Sequence, residues 1–246
     1  MLPWLDRDTP FPPLETALQA PNGLLAAGAD LQPWRLLDAY RQGIFPWYNP
    51  DEPVLWWSPD PRMVLFPDEL RVTRSLDKTL RNKPYQIRID TAFRRVMQSC
   101  AEPREPGGGS WIGPDIVDAY ERLQRLGYAH SIETWIDGEL CGGLYGVAIG
   151  KMFYGESMFA RRTDASKIAF VHLVRQLQRW GFGMIDCQMR TDHLASLGGR
   201  TIPRAQFAAK LKLLIAQPDV ATPWVFDSGA GNARQTMTGD NREQAE

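Results

Sequence analysis

An α/β fold is predicted: a small irregular module over residues 1–62, then a larger unit over residues 63–227 with a mixed sheet covered by helices. Three observations predict it. Beyond residue 63, apolar side chains repeat at helical spacing in several segments. Strand-like runs alternate with those segments, and two of the runs meet at an Asp137-Gly138 hairpin signal. Before residue 63, prolines crowd Phe11-Pro12-Pro13, Phe45-Pro46-Trp47 and Ser58-Pro59-Asp60-Pro61, which forbids long helices.

In the first module one short helix fits between Pro33 and Gln42, with Pro33 near its start, Gly43 past its end and Leu36, Leu37 and Tyr40 at helical spacing. The rest of that module is expected to be irregular, with few strands. After the Pro59–Arg62 boundary come a strand at Met63–Phe66, a basic helix, a strand at Gln86–Ile89 and a helix over Thr91–Cys100. Glu102–Ser110 reads as a flexible, glycine-rich loop. Asp115–Leu126 is an amphipathic helix with Ile116, Tyr120 and Leu123 on one face. Strands follow at His130–Ile136, Leu140–Ile149 and Met152–Phe159. Ser166–Trp180 is the strongest helix, Met184–Met189 a strand and Arg204–Ile215 a last helix. Residues 228–246 are polar and read as a disordered tail. The helix and strand order is compatible with the N-acetyltransferase superfamily fold, one option among several.

The formal net charge of −1 hides an asymmetry: residues 1–62 carry four basic and eight acidic side chains, and residues 63–227 carry 22 basic and 18 acidic. Within 71–95, eight basic residues stand against Asp77 and Asp90, either the footprint of a polyanion or a solvated face. No run approaches the ~20 apolar residues of a membrane span. The N-terminus lacks a signal-peptide pattern, so a cytoplasmic protein is expected. Three scattered cysteines and three scattered histidines form neither a disulfide framework nor a metal-ligand spacing.

Two strands carry the residues suited to chemistry. In Ile185-Asp186-Cys187-Gln188-Met189, alternation puts Asp186 and Gln188 on one face, where they need a cavity or a partner. In Met152–Phe159, Gly155 suggests a bulge or a close backbone approach, and Glu156 beside it is a carboxylate for a cationic group or for a nearby arginine. The loop Arg161–Ala165 has no glycine, which argues against the glycine-rich pyrophosphate cradle of a CoA-dependent enzyme.

Taken in order, Asn22-Gly23-Leu24-Leu25, Gly43-Ile44-Phe45-Pro46-Trp47, Leu55-Trp56-Trp57-Ser58-Pro59-Asp60-Pro61-Arg62, Gly155-Glu156-Ser157-Met158-Phe159, Ala165-Ser166-Lys167, Ile185-Asp186-Cys187-Gln188 and His193–Gly198 resemble the bacterial leucyl/phenylalanyl-tRNA–protein transferase family. The resemblance implies transfer of Leu or Phe, and Met less readily, from aminoacyl-tRNA to proteins beginning with Arg or Lys, which makes an N-degron. It implies an acyltransferase-like catalytic unit, no cofactor, no metal and a monomer. It places Trp47, Trp111, Leu144, Phe153, Met158, Leu173, Leu177 and Ile185 around the aminoacyl side chain. Asp186 would orient Gln188, Gln188 would meet the incoming amine, and Glu156 would face the cationic acceptor. The basic run then reads as a tRNA track, with Arg74, Arg81 and Lys83 contributing. A rival scheme hands the proton to the 2′-hydroxyl of the terminal adenosine.

Overall fold

The computed structural model describes residues 2–103 and 110–227. Most of the expected glycine-rich loop and all of the expected polar tail lie outside the described residues. The first module is more regular than its prolines suggest. Strands β1 (Trp4–Leu5), β2 (Leu24–Gly28), β3 (Phe45–Pro46) and β4 (Leu55–Trp57) form one sheet in the order β1-β2-β4-β3. The expectation of few strands is corrected here. Strands of two to five residues are too short to show a period, and the module is held by buried tryptophans instead. Trp56 donates from Nε1 to the Gly28 carbonyl at 2.9 Å. Helix α1 (Pro33–Arg41) matches its sequence signals, starting on its proline.

The larger unit holds a seven-stranded mixed sheet. In chain order its elements are β5 (Arg62–Leu65), α2 (Arg74–Asn82), β6 (Gln86–Ile89), α3 (Phe93–Ala101), α4 (Pro114–Arg125), β7 (Ala129–Ile136), β8 (Glu139–Ile149), β9 (Met152–Ala160), α5 (Ala165–Arg179), β10 (Met184–Gln188), α6 (Asp192–Ser196), β11 (Arg200–Ile202) and α7 (Arg204–Leu214). The strand order is β11-β5-β10-β9-β8-β7-β6. Short α6 and β11 are absent from the sequence reading. The Thr73 hydroxyl accepts from the Leu76 amide at 3.3 Å and caps α2. Asp137 and Gly138 take φ of 54° and 78°, the backbone a two-residue hairpin turn demands.

Helices cover both faces of this sheet. Adjacent glycines on β8 report the sides, because successive side chains point oppositely. A Cβ on Gly142 would run into Ala165 at the start of α5, whereas one on Gly143 would face Val96 of α3. The α3 side shares one continuous core with α4, α1 and the small sheet, through Tyr40, Phe45, Trp56, Tyr120, Tyr145 and Tyr154. The α5 side has its own core with α2. The C-terminal described segment closes over that second side. Trp224 stacks on His130 with centroids 3.5 Å apart and lies 6.4 Å from Phe153.

This division splits the basic run of residues 71–95. Arg74, Lys78 and Arg81 belong to α2 on the α5 side, with Lys83 just beyond the helix. Arg94 sits on α3, where it pairs with Asp118 and Glu121 of α4. Arg88 and Arg95 lie over the Trp135 ring. The run is therefore two surfaces, and only the α2 part remains a candidate track.

Candidate active site

Two irregularities on neighbouring strands build the site. On β9, Gly155 pairs with Gly146 and Ser157 with Tyr145, so Glu156 is an extra, unpaired residue. On β10, Asp186 pairs with Val64 and Gln188 with Met63, so Cys187 is extra. Such bulges bend a strand and re-aim a side chain. Between the two strands, parallel pairing runs as far as Tyr154–Asp186. Beyond that point Gly155, Glu156, Cys187 and Gln188 all face a cavity of about 720 Å³. The strands part where both carry their bulges, and the Gln188 Nε2 donates to Glu156 Oε1 at 3.0 Å across the gap.

The expected alternation along β10 fails at one residue. Gln188 has φ of 61°, a left-handed backbone that is uncommon for a side chain with a Cβ. Its side chain therefore leaves the face of Asp186 and joins Ile185 and Cys187 on the cavity wall. Asp186 stays on the opposite side, where its contact with Gln188 is with the main chain. Oδ1 accepts from the Gln188 amide N–H at 2.9 Å. Of the cavity or partner that the sequence reading asked for, Asp186 has a partner, Arg62. Its Nε donates to Oδ1 at 2.8 Å and its Nη2 to Oδ2 at 2.6 Å, with each side chain 1% exposed. The Arg62 guanidinium lies between the rings of Phe45 and Phe207, 4.8 and 4.7 Å from their centroids.

Among the described residues, Glu156 pairs with no arginine. Its Oε1 accepts from the Tyr40 hydroxyl at 2.7 Å, and its Oε2 from the Tyr120 hydroxyl at 3.3 Å. The two phenol oxygens are also within hydrogen-bond reach of each other, so two hydroxyl protons are shared among three contacts. Burial raises the Glu156 pKa to about 7. The Tyr40 and Gln188 hydrogen bonds pull it down and the nearby Asp186 charge pushes it up, but loss of hydration wins. Burial likewise pushes both phenols well above the usual tyrosine range, so they donate hydrogen bonds at neutral pH. It also pushes the Cys187 thiol up, which leaves a poor nucleophile.

The cavity brings together most of the residues that the sequence singled out. Trp47, Trp111, Leu144, Phe153, Met158, Leu173 and Ile185 line it with Glu156 and Gln188. Leu177 does not, because it lies one helical turn beyond Leu173 and is buried in the α5 core. Asp186 does not either, for the backbone reason given above. Arg74, Arg81 and Lys83 lie outside the cavity wall and are exposed. Arg81 is paired with Asp77 at 2.7 Å.

Chains similar to this one fix its family. Residues 64–212 match the leucyl/phenylalanyl-tRNA protein transferase family, and residues 29–60 match the N-terminal domain of the same family. A leucyl/phenylalanyl-tRNA–protein transferase of Nitrosomonas europaea is 64% identical over 227 residues, covering 92% of this chain and 96% of its own. That of Thiobacillus denitrificans is 65% identical over 218 residues, covering 89% and 96%. The chain belongs to the leucyl/phenylalanyl-tRNA–protein transferase family. Members of that family are aminoacyltransferases, and so is this protein. Among solved structures, L-PGS from Bacillus licheniformis aligns over 64% of this chain and 52% of its own, with 10% identity and a TM-score of 0.40.

For a leucyl/phenylalanyl-tRNA–protein transferase, the site holds several residues that sequence reasoning missed. Tyr40 and Tyr120 read as apolar positions of two amphipathic helices, and nothing in either helix announces that their hydroxyls converge on one carboxylate. Arg62 read only as the end of a motif. Phe170 lines the cavity three residues before Leu173, a spacing that places it on the same helical face and that could have found it. Thr191, His193 and Leu194 border the cavity from α6 and its cap, an element too short to be read in advance.

Proposed function

We propose that the protein transfers Leu or Phe, and Met less readily, from aminoacyl-tRNA to the α-amino group of proteins beginning with Arg or Lys. The product carries a new peptide bond and an N-degron. The catalytic unit is residues 63–227, assisted by the small domain at 1–62, and the enzyme works as a cytoplasmic monomer. Among the described residues no helix is long and apolar enough to cross a membrane.

One observation carries this reading: the Gln188–Glu156 pair stands on the wall of an apolar cavity. An aminoacyl ester is already activated, so the enzyme must chiefly align the amine with the ester carbonyl. Leu144, Phe153, Leu173 and Ile185 suit the aminoacyl side chain by burying it. Glu156 accepts from Gln188 Nε2, so the amide oxygen Oε1 is turned toward a donor such as the incoming amine. Among the described residues Glu156 Oε2 has only the long Tyr120 contact, which leaves it the freer oxygen for a cationic acceptor. Asp186 acts from behind, through the Gln188 main chain.

The test uses tRNA charged with labelled Leu, Phe or Val and an acceptor protein beginning with Arg. Label from Leu and Phe enters the acceptor, Val does not, and acetylation of the acceptor N-terminus abolishes transfer. No label from any of the three would end this reading. For the donor, Arg74, Lys78, Arg81 and Lys83 form an exposed basic cluster on and beside α2, suited to phosphates without base readout. Replacing Arg74, Arg81 and Lys83 by alanine is expected to weaken tRNA binding at low salt. It also flattens the slope of log affinity against log salt by about 2–3. Equal slopes for variant and parent would remove the cluster from the track.

A further inference from the structure

We propose that Arg62 is a positioning residue for the transfer reaction: it holds Asp186 where that carboxylate sets the left-handed backbone of Gln188, and so aims the Gln188 amide at Glu156. This rests on the function proposed above for Gln188.

The chain of contacts is short. Arg62 begins β5, the antiparallel neighbour of β10. Its Nε and Nη2 each donate to one Asp186 oxygen, the paired geometry that only a guanidinium offers. The Phe45 and Phe207 rings on its flanks fix the plane of the guanidinium, and hence the rotamer of Asp186. Asp186 Oδ1 accepts from Arg62 Nε and from the Gln188 amide N–H alike. A positive φ at a glutamine persists only when its surroundings over-determine it, and this amide–carboxylate bond is the local restraint on it. Without that backbone turn, strand alternation returns Gln188 to the Asp186 face and takes its side chain off the cavity wall from which Nε2 now reaches Glu156. Arg62 is fully buried and is absent from the cavity wall, so its influence on the reacting groups passes through Asp186 and Gln188.

Two variants test this. Arg62→Lys keeps the charge but places a point donor where two parallel N–H groups stood. The double variant Arg62→Met with Asp186→Met replaces the buried pair by apolar volume, an exchange that folds are known to tolerate. Steady-state transfer from Phe-charged tRNA to an acceptor beginning with Arg is measured for each, with thermal melts as a check on folding. The expected result for either folded variant is a kcat lower by about 100-fold, with both KM values within about threefold of the parent. In isotope-labelled Arg62→Lys, the Gln188 amide proton is also expected to lose the downfield resonance of a carboxylate-bonded N–H. A folded variant with the parental kcat, or one changed only in KM, would overturn the proposal. So would a lowered kcat in Arg62→Lys with the Gln188 resonance unmoved. If Arg62→Lys fails to fold, Arg62→Gln, which keeps Asp186 and offers it an amide donor, takes its place with the same two readouts. Should the parent itself transfer nothing, the function reading fails, while the Gln188 resonance still reports on the geometry.

Discussion

Asp186→Ala is expected to lose about 3–5 kcal/mol of folding stability, the largest single effect of any substitution in the site. Asp186 and Arg62 are both removed from water and make two short hydrogen bonds. Deleting the carboxylate leaves a guanidinium buried between two aromatic rings with its charge uncompensated. The Gln188 amide loses its acceptor in the same step. For a domain of this size the loss corresponds to a melting temperature lower by roughly 6–20 °C. Asp186→Asn should cost less, because its Oδ1 can still accept from the Gln188 N–H. Urea unfolding of the parent and the two variants orders them parent, Asn, Ala. An alanine variant within about 1 kcal/mol of the parent would mean that Arg62 finds another partner.

The Glu156 carboxyl gives the second large effect, read as a pH dependence. Its folded pKa of about 7 lies above the ordinary value of 4.5. Between those two values the folded state holds a proton that the unfolded chain has released. Stability therefore falls as pH rises through that window and levels off above about 7. Glu156→Gln has no such proton to lose. Unfolding free energies of parent and variant should thus run parallel below pH 4.5 and diverge between 4.5 and 7, with the parent losing at most about 3 kcal/mol relative to the variant. Both curves then run parallel again. Curves that stay parallel from pH 4 to 8 would show that Glu156 titrates as an ordinary carboxyl. A cation bound beside Oε2 should move the divergence toward lower pH, since an opposite charge favours the carboxylate.

Much of the larger unit was legible in the sequence. Its amphipathic helices bury one face each, which leaves a period in the chain, and its hairpin strands, buried on both faces, read as apolar runs bounded by turn residues. A bulge beside Gly155 was one of two readings that a glycine inside an aromatic strand allowed, and the extra residue proves to be Glu156. What stayed hidden depends on partners distant in sequence. The small sheet is stitched from very short strands, and its order appears only once they meet. A tyrosine on an apolar helix face reads as core until another helix brings a second phenol and a carboxylate to it, as Tyr120 and Glu156 do for Tyr40. Arg62 and Asp186 lie 124 residues apart, and neither residue type betrays the other. The positive φ of Gln188 has no local signal, because glutamine carries no preference for it. The basic run looked like one surface because sequence adjacency conceals the sheet that separates its two halves.

The paired bulges on β9 and β10 have a consequence for how this site tolerates change. Glu156 and Gln188 meet because each strand carries one residue more than its neighbour can pair. Their encounter is thus encoded in a count of residues as much as in their identities. A one-residue deletion that restored regular pairing in either strand would pull the two groups apart even where it spared them both. Drift in the composition of the cavity wall can retune which aminoacyl group fits, but drift in the length of these two strands cannot be absorbed.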